Sequence, residues 1–579
     1  MLKFLITALL LIIANIASAQ EVPSQYEGIL AEKNFNFDVV SILRGVLGVA
    51  VLLFIAWLFS TNRKAISWNT VIKGIIIQFV IALSVMFVAP VQDFFNFFGA
   101  CFVAVLDWTK AGSEFLFGSF VDVSKFGFVF AFQILPTIIF FSALTSLLFY
   151  LGIIQKIVWV FAWLMSRAMK LSGAESLSTV ANIFVGQTEA PLIVKPYISK
   201  MTRSEIMLVM TAGMSTMAGG VLAAYIGMLG NGVPELEVQF ARHLLAASVM
   251  AAPGAVVISK ILVPQTEKVE MDAEVSKEKI GNNVLDAISN GTFDGLKLAG
   301  NVAAMLLVFY ALIAGVNNII SLLGSFDLIS WVALSFGVVI GSEVYSFIYK
   351  TNKSWSKYVF WISGALVVLG LLNTYLTSRY NFMAIFPQFI QALFIGALIG
   401  SLISFTHRRN NKISAIKYYE ISFGALALIF IAISLFFSFS DTVNSVIAQV
   451  TDNKYTELSM QLILGYVFSP IIWLIGVATQ DVPLVGQLLG QKLILTEFVG
   501  YSELSNMLAT NAFFSPKSAI MATYVLCGFA NFASIGIQIG GIGSIAPTQK
   551  STLSAFGMRS LLGGTLSALV SAAFVGMLL

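Results

Sequence analysis

Asn182-Ile183-Phe184-Val185-Gly186-Gln187-Thr188-Glu189-Ala190-Pro191-Leu192 sets an amide, a hydroxyl and a carboxylate side by side in strongly apolar sequence. Lipid satisfies none of these groups, and a carboxylate at membrane depth is costly. Gly186 before them and Pro191 after them interrupt a helix. Backbone groups freed in that way are tolerated at membrane depth only where they line a protein cavity. Broken helices with polar tips near the bilayer midplane are how secondary transporters build substrate and ion sites.

The surrounding composition agrees. Of 579 residues, 58% are hydrophobic and only 11% are charged, against about a quarter charged in a soluble domain. Runs of about 20 apolar residues, each long enough to cross a bilayer, recur from end to end. The chain reads as an all-α polytopic membrane protein. Its net charge of +4 sits in short loops, where the positive-inside rule places basic residues, and does not point to nucleic acid. Cys101 and Cys527 lie in apolar context without metal-ligand spacing, and His243 and His407 read as helix-boundary residues. No phosphate-cradling loop of the Walker type is present, which disfavours direct ATP drive. No nucleophile or metal cluster accompanies Glu189, so the reading is not an enzyme and needs no cofactor.

Charge and hydropathy give a topology. Residues 1–19, with Lys3, an apolar stretch and Ala17-Ser18-Ala19, read as a secretory signal; an uncleaved first helix is the alternative. Residues 39–110 hold two spans, and the Phe-rich stretch 93–118 reads as interfacial. Residues 128–263 form a first transport repeat. Within it, 171–199 carries basic residues on both flanks, as a re-entrant hairpin opening inside would. Residues 282–322 read as an interfacial helix and a span, and 328–439 as an inserted bundle of about four spans. Residues 458–579 form a second repeat, with a second hairpin over 485–516. There Thr496-Glu497-Phe498-Val499-Gly500 is another carboxylate-bearing break. Each hairpin is followed by a span with small and polar residues at its middle: Ala212-Gly213-Met214-Ser215-Thr216-Met217 and Cys527-Gly528-Phe529-Ala530-Asn531. The first hairpin opens inside and the second outside, which makes the order an inverted repeat.

These residues resemble the concentrative nucleoside transporters, from about residue 39 to the C-terminus. The resemblance is carried by Gly186-Gln187-Thr188-Glu189-Ala190-Pro191-Leu192, Glu497-Phe498-Val499, Cys527 to Asn531 and Ser534-Ile535-Gly536-Ile537-Gln538. Pro136-Thr137-Ile138-Ile139-Phe140-Phe141-Ser142 and Gly295-Leu296-Lys297-Leu298-Ala299 add to it. Several separated matches in one order make a specific signal.

The resemblance implies a sodium- or proton-coupled nucleoside importer of the cytoplasmic membrane. It would assemble as a homotrimer whose transport domains move like elevators against a fixed scaffold. It places Gln187, Thr188 and Glu189 at the nucleobase, with Val221 as an apolar wall. Glu497 would accept hydrogen bonds from the ribose hydroxyls, Asn531 and Ser534 would assist, and Phe529 would pack on sugar or base. For sodium it implies Asn182, Val185, Thr216 and Met217. This is sound chemistry for the ligand: an amide both donates and accepts, and a carboxylate binds a diol by charge-assisted hydrogen bonds. The implied ion ligands are neutral, which favours sodium over a proton. The family usually has Asn before the second-hairpin glutamate, where this chain has Thr496, and the 328–439 insertion lies outside the family core. A nucleoside-binding receptor that does not transport remains the alternative of another class.

Overall fold

The computed structural model describes residues 39–126, 129–267, 282–351, 388–409, 413–434, 441–451 and 455–579, with isolated positions between. The expected signal segment 1–19 and most of the second inserted span lie outside the described residues. Among these residues the chain is helical, and ten helices are long and apolar enough to cross a membrane.

The chain divides into two compact units, residues 1–310 with 463–579, and residues 311–462. The first opens with α1 (Val39–Leu58), α2 (Trp68–Phe87), α3 (Ala89–Phe117), α4 (Phe130–Tyr150) and α5 (Ile153–Met169). There follow α6 (Gly173–Ala181), α7 (Arg203–Ser215), α8 (Gly219–Gly230) and α9 (Pro234–Leu262), then α10 (Val284–Gly324). Burial separates inner from outer helices. In the most apolar windows of α9 and of the terminal helix, 89% of residues are buried, against 28% for α1. Burial on all sides is what a helix without a polar face is built for.

Residues 328–434 supply α11 (Leu328–Thr351), α12 (Gln388–Arg409) and α13 (Ile413–Ser434) in the second unit, followed by α14 (Val443–Val450). α11 and α12 cross with backbones in contact. A Cβ on Gly341 would collide with the Ala397 carbonyl, and one on Gly400 with the Val338 carbonyl. Small residues four apart permit such an approach in membranes. Glu420 of α13 accepts from Ser342 Oγ of α11 at 2.6 Å.

The chain returns through α15 (Met460–Leu474), α16 (Val482–Ile494), α17 (Glu497–Ala509), α18 (Pro516–Leu526), α19 (Phe532–Ile545) and α20 (Lys550–Leu578). α16 and α17 have 13 residues each, about 20 Å of helix at 1.5 Å per residue, too short for a hydrocarbon core of about 30 Å. They run antiparallel: Gln487 Nε2 donates to Glu503 Oε1 at 3.2 Å across the pair. Leu495 and Thr496 form the bend, and Thr496 caps α17 by accepting from Val499 N–H. In the first repeat, α6 starts with a capping box in which Ser172 and Glu175 satisfy each other's backbone N–H groups. The chain then turns back through short helical turns at Ala190–Ile193 and Lys195–Ile198.

Several expectations need correction. Of the stretch 93–118, residues 93–117 belong to one 29-residue helix, α3, long and apolar enough to span; its clustered Phe residues blur the helical period without breaking the helix. The 17-residue helix α5 precedes the first hairpin. Residues 282–322 form a single helix rather than two elements. His243 is no boundary residue: it is buried within α9, and its Nδ1 lies 3.1 Å from the Tyr524 hydroxyl.

Candidate functional site

Both spans that follow the hairpins are broken at their centres. α7 ends where Thr216 turns extended, and α8 resumes after Ala218. α18 ends at Cys527, and α19 resumes after Asn531. Gly528, at φ +84°, allows the two breaks to touch: a Cβ there would lie 2.5 Å from the Met214 and Ser215 carbonyl oxygens. Four half-helices and two hairpins therefore bring irregular backbone to one place.

A continuous chain of hydrogen bonds crosses that place. Gln187 Nε2 donates to Ser534 Oγ at 3.3 Å. Ser534 N–H donates to Asn531 Oδ1 at 2.8 Å, which is also the N-cap of α19. Asn531 Nδ2 donates to Glu497 Oε2 at 2.6 Å, and the Tyr225 hydroxyl donates to Glu497 Oε1 at 3.2 Å. Gln187, Glu497, Asn531 and Ser534 are all buried. The first-hairpin amide and the second-hairpin carboxylate are thus linked through α19.

The amide of Gln187 has a defined orientation. Gln538 Nε2 donates to the Met210 carbonyl at 3.0 Å. A carbonyl only accepts, so Gln538 must present its NH₂ there. The same nitrogen donates to Gln187 Oε1 at 3.0 Å. Gln187 consequently turns its oxygen toward Gln538 and its own NH₂ toward Ser534. Ser534 Oγ accepts from Gln187, which leaves its O–H free to donate.

The remaining implied substrate residues fall in two places. Thr188 packs against Gly541 of α19, with its methyl 2.7 Å from where a Cβ would sit. Phe529, between the two halves of the second broken span, packs partly buried against the core. Glu189 stands outside the hydrogen-bond chain. Its carboxylate folds back over Gly186. With Val221 and Asp294 it lines a cavity of about 280 Å³ that also touches Ser142 and Thr145 of α4. Glu189 is exposed to that cavity while Glu497 is buried, so the two hairpin glutamates face different surroundings.

The segments that carry the implied sodium ligands are joined by one backbone contact. The Gly219 N–H donates to the Phe184 carbonyl at 3.2 Å, which clamps the first-hairpin break to the α7–α8 break. Asn182 Nδ2 donates to the Ser178 carbonyl at 2.9 Å, which fixes the amide, and Asn182 Oδ1 is buried without a hydrogen-bond partner. Thr216 Oγ1 donates to the Ala212 carbonyl at 2.9 Å and keeps its lone pairs. A buried amide oxygen awaiting a partner, beside unwound backbone, fits a small hard cation.

Three residues to which the sequence assigns no role stand beside these. Tyr225 stacks on Tyr501, ring centroids 4.0 Å apart and planes at 22°, and Tyr501 donates to the Thr523 carbonyl at 3.0 Å. Tyr225, Tyr501 and Gln538 lie one helical turn after Val221, Glu497 and Ser534 respectively. The i, i+4 rule was the signal available for all three.

The chain matches the profile described as Na⁺ dependent nucleoside transporter C-terminus over residues 243–366 and 404–576. It matches the corresponding N-terminus over 47–120 and a nucleoside recognition (gate) profile over 131–232. It is 32% identical over 543 residues to an uncharacterized transporter of Haemophilus influenzae, covering 93% of this chain and 98% of that one. It is 32% identical over 546 residues to sodium/nucleoside cotransporter 1 of Mus musculus, covering 92% of this chain and 63% of that protein. Among solved structures it is similar to CNTnw in an inward-facing substrate-bound state, at 31% identity, a TM-score of 0.65, and 93% and 99% coverage. A CNTnw variant in an outward-facing state matches at 29% identity with a TM-score of 0.63.

Proposed function

Since this chain belongs to the Na⁺ dependent nucleoside transporter family, and is therefore a multi-pass membrane transporter rather than an enzyme, we propose that it imports nucleosides by coupling them to a sodium gradient. The observation that carries this reading is the hydrogen-bond chain from Gln187 through Ser534 and Asn531 to Glu497. A nucleoside carries a polar flat base at one end and a diol at the other, and the chain offers an amide end and a carboxylate end. A carboxylate has about four acceptor positions. Asn531 and Tyr225 take one each, which leaves about two, the number a ribose diol uses. In this reading Thr188 and Phe529 add walls beside that chain, while Glu189 and Val221 contribute from the neighbouring cavity that they line with Asp294.

Sodium is the coupling ion in this reading, held by Asn182 Oδ1, the Thr216 hydroxyl and carbonyl, and the Val185 and Met217 carbonyls. None of these titrates, so a proton has no carrier in that set. The hairpins are re-entrant and move with the broken spans as one elevator body, past a scaffold that includes the N-terminal spans. Three copies form a homotrimer in the cytoplasmic membrane.

Reconstituted vesicles test the reading directly. Labelled uridine or adenosine should accumulate when a sodium gradient is imposed and should stop when choline replaces sodium. Persistence in choline with a pH gradient would make the protein a proton symporter. Saturable binding without counterflow exchange would make it a receptor.

A further inference from the structure

The two broken spans end their first halves alike but satisfy the freed carbonyls differently. In the first repeat the carbonyls beyond α7 face a segment with no Lys or Arg from residue 171 to 194. In the second repeat the chain brings its own cation. Lys492, near the end of α16, has no exposed surface. Its Nζ donates to the Cys527 carbonyl at 2.6 Å and to the Val525 carbonyl at 3.1 Å. These are terminal carbonyls of α18, where a helix carries its partial negative charge.

An ammonium is a compact point charge with three donors. Withdrawing it from water costs several kcal/mol, so packing alone does not account for it; Leu or Met would fill the space. What distinguishes lysine is its charge, delivered to a cradle of carbonyls. The parallel extends to the neighbouring amides. Asn182 at the end of α6 and Gln491 beside Lys492 each keep a buried side-chain oxygen without a hydrogen-bond partner. The cradles are also adjacent, since Gly528 lies against Met214 and Ser215, and Cys527 Sγ lies 3.6 Å from the Ser215 carbonyl.

We infer that Lys492 is a tethered cation occupying, in the second repeat, the position that the coupling ion takes in the first, and that it holds transport to one ion per nucleoside. The inference rests on the sodium-coupled reading. The carbonyls of Val525 and Cys527 hold the ammonium directly.

The test compares the wild type with Lys492→Gln and Lys492→Met, purified in detergent and reconstituted. In the wild type, sodium-driven uridine uptake should show a Hill coefficient of about 1, with one charge moved per uridine. In Lys492→Gln the vacated carbonyls accept a second sodium. Its stability in choline should fall, sodium should raise its melting temperature more than it does for the wild type, and the Hill coefficient should climb toward about 2. Lys492→Met, which lacks the polar head, should show the loss of stability with a smaller sodium rescue. Variants whose sodium-dependent melting shift and Hill slope match the wild type would overturn the inference. Should neither variant fold, the wild-type charge-to-uridine ratio decides alone, because two charges per uridine contradict it. A wild type that transports uridine without any sodium response defeats the sodium reading itself, an outcome visible before any variant is made.

Discussion

Changing Glu497 to Gln separates the carboxylate's proposed role in binding from its role in the fold. The side chain has two protein partners, Asn531 Nδ2 at 2.6 Å and the Tyr225 hydroxyl at 3.2 Å. Asn531 can only donate through that nitrogen, so the new amide must keep its oxygen there and turn its NH₂ toward Tyr225. A tyrosine hydroxyl both donates and accepts, and it rotates to accept. Both protein contacts survive, and the melting temperature should change little. Substrate binding should not survive so well. Hydrogen bonds to a charged group contribute about 1.5–3 kcal/mol and neutral ones about 0.5–1.5. Neutralising the acceptor therefore removes about 1–1.5 kcal/mol per ribose hydroxyl, or about 2–3 for the diol. At 1.36 kcal/mol per tenfold, KM for uridine should rise about 30- to 150-fold. The decisive assay pairs the variant with 2′,3′-dideoxyuridine. The wild type should discriminate strongly against this substrate and Glu497→Gln only weakly, giving a coupling energy of about 2–3 kcal/mol in the cycle. Additive effects of substrate and mutation would refute the assignment of the diol to Glu497.

Other perturbations follow from the same geometry. Gln538→Met leaves the Met210 carbonyl and the Gln187 amide without their shared donor, at about 1–3 kcal/mol for each orphaned group. It should lower the melting temperature and raise KM more than it lowers the maximal rate; an unchanged KM would dismiss the role of Gln538 in orienting Gln187. Lys260→Met breaks the buried pair with Glu175, now 2.6 Å apart, and should destabilise by about 3–5 kcal/mol. Adding Glu175→Gln should restore part of that, because Gln still serves the capping box; thermal unfolding of the single and double variants checks this. Gly528→Ala combines a strained φ of +84° with a Cβ 2.5 Å from two carbonyl oxygens. It should force the two breaks apart and abolish uptake even where the protein is still expressed, and wild-type uptake would contradict the contact between the breaks.

How far the sequence is legible depends on the kind of signal. Gln187 and Glu497 are visible because polar groups in apolar surroundings have few benign explanations. The breaks are visible because Gly, Pro and small polar residues punctuate otherwise continuous runs. Tyr225 and Tyr501 are not visible in that way: an aromatic residue on a buried helix reads as core until a partner is known, and the partner, Glu497, is 272 positions from Tyr225. Lys492 escapes for a different reason. A lysine between apolar runs reads as a loop marker, and only the folded chain shows its head on the carbonyls of a helix 33 and 35 residues away. Hydropathy also fails to separate a spanning helix from an interfacial one in α3, where both have the same apolar content.

The hydrogen-bond chain shows why these residue types, rather than merely polar ones, occupy the breaks. A buried polar network is stabilising only when each member is satisfied, yet a binding site must keep some capacity open. The site resolves this by fixing each functional group with a partner whose chemistry has only one sense. The Met210 carbonyl accepts and so orients Gln538, which orients Gln187. The backbone N–H of Ser534 donates and so orients Asn531, whose nitrogen is thereby turned to Glu497. Both chains of constraint begin at main-chain atoms beside broken helices and end at the side chains that would meet a ligand. For a nucleoside bound as proposed, the donors and acceptors would be set before it arrives, and their ordering would not be subtracted from its binding energy.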